Sequence, residues 1–288
     1  MTDAEMHVSA IADSRRRTLG SGSARSLLLT VLGEFVYPRG RAVWTATLLR
    51  ALGDLSIEEK SARQAVSRAS AEGLLSSERS GRRVRWSLTD AGVTLLREGT
   101  ERIYHFMQDQ RDWDGRWLLV TVAVPETQRQ LRHRLRTQLT WLGMGSPAPG
   151  LWVVPDADKE QQLADVLREL GLQPRAFAWI GCWAPIGDKQ ELIAAAWSLD
   201  EVEESYRDFA STFSLLRTST ATEAFVAQVH LVQAWRRFPF LDPALPPTLL
   251  GHDWPGPAAA KVFHDSHEHW RPQAQQRWDD WEAKSQKG

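Results

Sequence analysis

The chain is 288 residues long, 42% hydrophobic and nearly neutral, with a formal net charge of −1, which leaves room for two or three globular domains. A single cysteine, Cys182, excludes an intramolecular disulfide and fits a reducing compartment. With no apolar run of membrane-spanning length and no signal-peptide core, the expected location is the cytoplasm and no membrane partner is expected. The neutral total hides an asymmetry: residues 1–107 carry 16 basic and 12 acidic side chains, and residues 108–288 carry 19 and 24. Only the first part suits a polyanion.

Residues 1–23 are polar, with Arg15-Arg16-Arg17 and a Gly/Ser stretch, and read as a disordered arm. Ser26 to Tyr37 is an apolar helix broken at Pro38-Arg39-Gly40, and Trp44 to Leu52 is a second short helix. In the next helix Ser56 is the expected cap, and Glu58 and Glu59 suit the positive end of the dipole. Ala62, Ala65, Val66 and Ala69 recur at three- and four-residue spacing and form one buried stripe. Lys60, Arg63, Gln64, Ser67 and Arg68 fall on the remaining face. Arg and Gln are residue types that read base edges in the major groove, while Ser and Lys suit phosphates. Gly73 stops this helix.

A hairpin follows, turning at Gly81, in which Val84, Trp86 and Leu88 alternate with Arg85 and Ser87 as in a half-buried strand. Arg79, Arg82, Arg83 and Arg85 converge on its turn. From 60 to 85 there are seven basic and two acidic side chains. Helix, break and basic hairpin together spell a winged helix-turn-helix, so residues 24–108 are expected to bind double-stranded DNA. Thr89 caps a longer helix that leads out of this module.

Residues 109–188 read as a small α+β domain of ferredoxin-like outline. Leu118 to Val124 is a buried strand, Glu126 begins a helix to Leu142, and Leu151–Val154, 158–170 and 175–183 supply a strand, a helix and a strand. Cys182 falls in the apolar run WIGCW and is expected to be a buried, inert thiol. Residues 189–288 read as helical, with helices at 199–216, 220–238 and 257–271 around the proline-rich stretch FPFLDPALPPTLLGHDWPG. The fold class is therefore α+β, in three domains.

With these residues in place the chain resembles the PaaX-like family, repressors of phenylacetic acid degradation operons. SARSLLLTVLGEFV, KSARQAVSRASAEGLL and SERSGRRVRWSLTDAG look like its winged-helix module. DWDGRWLLVTVAVPE and RHRLRTQLTWLGMGSPAPGLWVVP look like its central domain, and RRFPFLDPALPPTLLGHDWPG with AAKVFHDSH looks like its C-terminal module. The resemblance implies a homodimeric repressor released from operator DNA by an acyl-coenzyme A effector such as phenylacetyl-CoA, with no cofactor. An activator or dual regulator with another effector, an enzyme carrying a DNA-binding module, and a purely structural DNA-binding protein are the alternatives.

Effector candidates are aromatic and arginine residues of the later domains. An adenine ring and a pyrophosphate want an aromatic face and an arginine fork. Arg236, Arg237 and Trp254 border the proline-rich loop, where an ion pair between either arginine and Asp242 is the competing use. Trp113, Trp117 and Trp152 suit a core as well as a pocket. His264 and His267, with Glu268, have a spacing that could share a metal, but no cysteine supports it and a packing role is preferred. The central domain also resembles small CRISPR-associated nucleases, which need an acidic residue at the end of the first strand. Here Pro125 and Glu126 stand there, and Glu126 suits a helix start, so no catalytic residues are assigned.

Overall fold

The computed structural model describes residues 22–108 and 112–287; the arm expected over 1–23 lies outside these apart from Gly22 and Ser23. The architecture is α+β, with a three-stranded and a four-stranded sheet. The chain forms two compact units, both discontinuous. Among the described residues one gathers 22–106, 208–237 and 258–287, and the other 107–108, 112–207 and 238–257.

In the first unit, α1 (Ala24–Val31) is capped by the Ser23 hydroxyl and continues through a π-helical turn, Leu32–Val36, and a 3₁₀ turn, Tyr37–Arg39. Strand β1 (Val43–Trp44) leads into α2 (Thr45–Asp54) and then α3 (Glu59–Ala71). Strands β2 (Leu75–Ser80) and β3 (Arg83–Leu88) form the hairpin, with β1 on the far side of β3. Gly81 takes a positive φ at the turn, which glycine adopts without cost. Helix α4 (Asp90–Tyr104) starts where the Thr89 hydroxyl accepts from the Gly92 amide, as expected. The start of α3 differs from expectation. Ser56 lies in the left-handed region with φ 63°, and the N-cap is Glu58, whose side chain makes no capping bond. The chain turns at Ser56 and only then becomes helical.

The second unit contains β4 (Arg116–Val122), α5 (Arg129–Trp141), β5 (Gly145–Ala148), β6 (Leu151–Val154), α6 (Glu160–Glu169) and β7 (Ala176–Cys182). The sheet order is β5-β6-β4-β7 with every pairing antiparallel, which is the ferredoxin-like arrangement. Leu118, Val120, Val122, Trp152 and Val154 point to one face and pack against Leu135 and Leu139 of α5 and Leu163 and Leu167 of α6. Trp117, Leu119, Leu151 and Val153 point to the other. That second face is covered by Ile193 of α7 (Lys189–Ala196) and by Leu245 and Leu249 of the proline-rich loop. Gly145 permits the covering, because the Trp197 ring lies 2.5 Å from where a Cβ would stand.

Helix α8 (Leu199–Ser214) contains the boundary between the units; α9 (Ala221–Trp235) opens with a capping box from Thr220 and Glu223. After the short α10 (Phe238–Leu241) and the loop, α11 runs from Gly256 to Lys287 and passes through Pro272. The helix expected to end at 271 is thus twice as long. Its second half enters the winged-helix core: Trp278 stacks on Phe35 at 5.2 Å, and Trp281 meets Phe225 edge-on at 4.9 Å. Buried aromatic area is what carries the helix past its proline.

One further expectation is overturned. Cys182 is exposed. Among the described residues strand β7 is an edge, hydrogen-bonded only to β4, and most of its side chains lie open to solvent, including Phe177 at 65% and Trp179 at 55%.

Candidate nucleic-acid interface

Helix α3 is built as its periodicity requires. Ala62, Ala65, Val66 and Ala69 are buried in the winged-helix core, and their small size lets the helix lie close to α1 and α2. The opposite face carries Lys60, Arg63, Gln64, Ser67 and Arg68, all exposed. Arg63 is held along the helix by Glu59, with Nη2 to Oε1 at 2.6 Å. Both side chains are more than half exposed, so this pair holds Arg63 weakly.

The wing separates its four arginines into two kinds. Arg79 and Arg82 are exposed at the strand end and the turn. Arg83 and Arg85 are half-buried, each with its guanidinium 4.3 Å from the centre of the Trp44 ring. Arg83 also donates to the Ser285 carbonyl oxygen at 2.7 Å, near the end of α11. Arg41 pairs with Glu282 at 2.5 Å, and Thr47 donates to the Ser285 hydroxyl at 3.0 Å. The base of the wing is therefore tied to the last turns of α11. Sequence reasoning missed this, because nothing local in residues 79–85 says which arginine meets Trp44.

Three family models match along the chain. Residues 23–92 match the model described as PaaX-like protein, 110–193 the PaaX protein central Cas2-like domain, and 197–280 the PaaX-like protein C-terminal domain. The chain is 30% identical over 267 residues to the transcriptional repressor PaaX of Escherichia coli (strain K12), covering 88% of this chain and 82% of that protein. The chain belongs to the PaaX-like family. An uncharacterized protein, Rv0674 from Mycobacterium tuberculosis, has the same fold, with a TM-score of 0.63 at 22% identity over 90% of this chain and 98% of that one.

In this PaaX-like protein each effector candidate has its own surroundings within its unit. Trp117 and Trp152 are buried on opposite faces of the central sheet, each in its own core. Trp113 leans edge-on against Trp117 and donates to the Arg116 carbonyl. Trp254 is edge-on to Tyr206, and its indole N–H is buried with no hydrogen-bond partner among the described residues. Arg236 caps the α9–α1 seam, 3.3 Å from the Thr30 hydroxyl, and Arg237 is exposed. Asp242 is not held by an arginine in the way expected of the loop. It accepts from the Tyr206 hydroxyl at 2.6 Å and the Ala244 amide at 2.7 Å. Burial raises its pKa, and those two hydrogen bonds oppose the rise.

His267 is committed to packing inside the first unit. Its Nε2 lies 2.8 Å from Glu34 Oε2 and 2.9 Å from the Tyr104 hydroxyl, and Gln228 donates to the same carboxylate at 2.7 Å. Burial pushes the Glu34 pKa up, but the hydrogen bond and charge of His267, with bonds from Tyr104 and Gln228, outweigh it and hold it below the ordinary range. Glu34 sits in the π-helical turn after α1, so this cluster joins the winged helix to α4, α9 and α11. His264, one turn before His267 on the same helix, has its pKa lowered by burial and by His267.

Proposed function

We propose that this protein is a transcriptional repressor that binds operator DNA as a homodimer and is released by a coenzyme A thioester, phenylacetyl-CoA being the first candidate. The observation that carries the DNA-binding part is the exposed row of Lys60, Arg63, Gln64, Ser67 and Arg68 on a helix whose other face is an alanine-lined core contact, with Arg79 and Arg82 beside it on the wing. Such a helix fits the major groove, with Arg63 and Gln64 aimed at bases and Lys60, Ser67 and the wing arginines at phosphates. Arg83 and Arg85 hold the wing in shape. Kinship with a named repressor supports regulation rather than catalysis.

The homodimer reading rests on β7. An exposed edge strand bearing Phe177, Trp179 and Ile180 is an unpaired hydrogen-bonding row with an apolar surface, which proteins cover. A second copy related by a two-fold axis covers it with its own β7. The effector reading rests on the family resemblance; Arg237 and Trp254 stay as its candidate contacts, while Trp117 and Trp152 serve two separate cores.

The test is retardation of genomic fragments at graded salt, followed by titration of phenylacetyl-CoA, other acyl-CoAs, free acids and free coenzyme A into the complex. The expected result is a preferred fragment whose affinity falls steeply with salt and release by a thioester alone. No preferred fragment at any salt sinks the repressor reading; release by an unrelated small molecule sinks only the effector.

A further inference from the structure

Helix α5 carries a second cationic face. Its sequence, RQLRHRLRTQLTW, has four arginines and a histidine and no acidic residue. Between residues 110 and 193 there are ten basic and ten acidic side chains; four of the basic ones fall in this helix and none of the acidic. Leu135 and Leu139 are buried on the sheet side, with Leu131 and Leu142 packed beside them. Arg129, Arg132, His133 and Arg136 recur at three- and four-residue spacing on the outer side, and all four are exposed.

Arg132 donates to the Glu126 carbonyl at 3.1 Å, and Arg134, off the main row, pairs loosely with Glu169 at 3.6 Å. Four like charges within eight residues of one helix repel one another, at spacings where opposite charges would have stabilised it. A dense polyanion lying along such a row would relieve that repulsion. Arg129 to Arg136 spans about 10 Å of helix, and a DNA strand places phosphates about every 3.4 Å along its axis. A cationic row of this length can reach about two or three phosphates of one strand, and its sign suits them.

We propose that the outer face of α5 binds the phosphate backbone of duplex DNA, as a contact surface additional to the winged helix and blind to sequence. This deepens the repressor reading and rests on it. Arginine is suited to the role because its fork engages phosphate oxygens in pairs.

The test uses the full chain with Arg129, Arg132 and Arg136 changed together to glutamine (R129Q/R132Q/R136Q). The three side chains are exposed, so the thermal midpoint is expected to stay unchanged, and it is measured first. Operator affinity is then followed from low to high salt. The plot of log affinity against log salt is expected to lose about two to three units of slope, with the preference for operator over random DNA retained. A conservative triple lysine variant is expected to restore most of the slope. An unchanged slope and affinity in the glutamine variant overturns the proposal, while operator preference in the wild-type protein keeps the repressor reading intact. A normal slope combined with impaired release by acyl-CoA also overturns it, and assigns the face to the effector's phosphates. If the wild-type protein selects no DNA, the repressor reading itself has failed.

Discussion

The two units solve the problem of a small core in opposite ways. The winged helix draws on distant chain: Phe225 and Val229 of α9 and Ala274, Trp278 and Trp281 of α11 complete a core that begins at Leu27. The central unit covers both faces of its sheet with neighbouring helices and one loop, yet leaves an edge strand with exposed aromatics. One region is closed by the rest of its own chain, and the other leaves an edge strand and its aromatics exposed among the described residues. A DNA-binding module bonded into a C-terminal helix is also one whose shape answers to that helix.

The largest effect expected from this contrast is at Trp278. It is fully buried and stacked on Phe35, so Trp278→Ala should cost about 3–5 kcal/mol, a large share of the stability of an ordinary domain. Denaturant unfolding should show the winged helix lost although residues 24–88 are untouched. Unaltered unfolding would mean that the module closes its core without α11. The opposite pattern is expected on β7. Trp179→Lys, with Phe177→Lys as a second variant, should leave far-ultraviolet circular dichroism as it was and convert a dimer to a monomer in sedimentation. A dimer that survives both changes places the interface elsewhere.

Much of this contrast was beyond the reach of local pattern. The alanine stripe of α3, the Thr89 cap, the strand at Leu118 and the ferredoxin-like order could be read because each follows from spacing and capping within a few residues. Cys182 was misread because an apolar run looks alike at the centre and at the edge of a sheet. The helix expected to end at 271 runs on through Pro272 because the burial that carries it comes from Phe35, more than two hundred residues away. The exposed polar and basic row of α3 was legible from charge and periodicity. The split of the wing arginines, and the failure of the tryptophans to share one pocket, depend on tertiary placement. Residue type carries no record of that.

The wing offers a sharper test of how the closed unit works. Arg82 is exposed at the turn, whereas Arg83 is bonded to Ser285 and lies over Trp44. Arg82→Ala should reduce the salt slope of operator binding by about one unit. Arg83→Ala should leave the slope unchanged and still weaken binding, since a charge-assisted hydrogen bond anchoring the wing is worth about 1.5–3 kcal/mol at most. Removing residues 285–288 should include the effect of Arg83→Ala and exceed it, since the Thr47–Ser285 hydrogen bond is lost as well. A reduced slope for Arg83→Ala would make that residue a phosphate contact like its neighbour.

The smallest effect is at Glu59. Its carboxylate holds Arg63 along the exposed face of α3 at 2.6 Å, with both partners open to solvent. An exposed pair four residues apart on a helix is worth about 0.3–0.5 kcal/mol, so DNA must outbid very little to take Arg63. Glu59→Gln releases the arginine and removes a negative charge next to the phosphates; both changes act in the same direction, and affinity should rise about twofold. The two contributions separate in a double-mutant cycle. In an Arg63→Ala background, which alone should cost about 1–3 kcal/mol and relax preference at one base position, Glu59→Gln can act only through its charge. Whatever gain disappears there belonged to the ion pair. If the gain is identical in both backgrounds, Arg63 is not restrained by Glu59, and its orientation toward the bases must be set by the DNA alone.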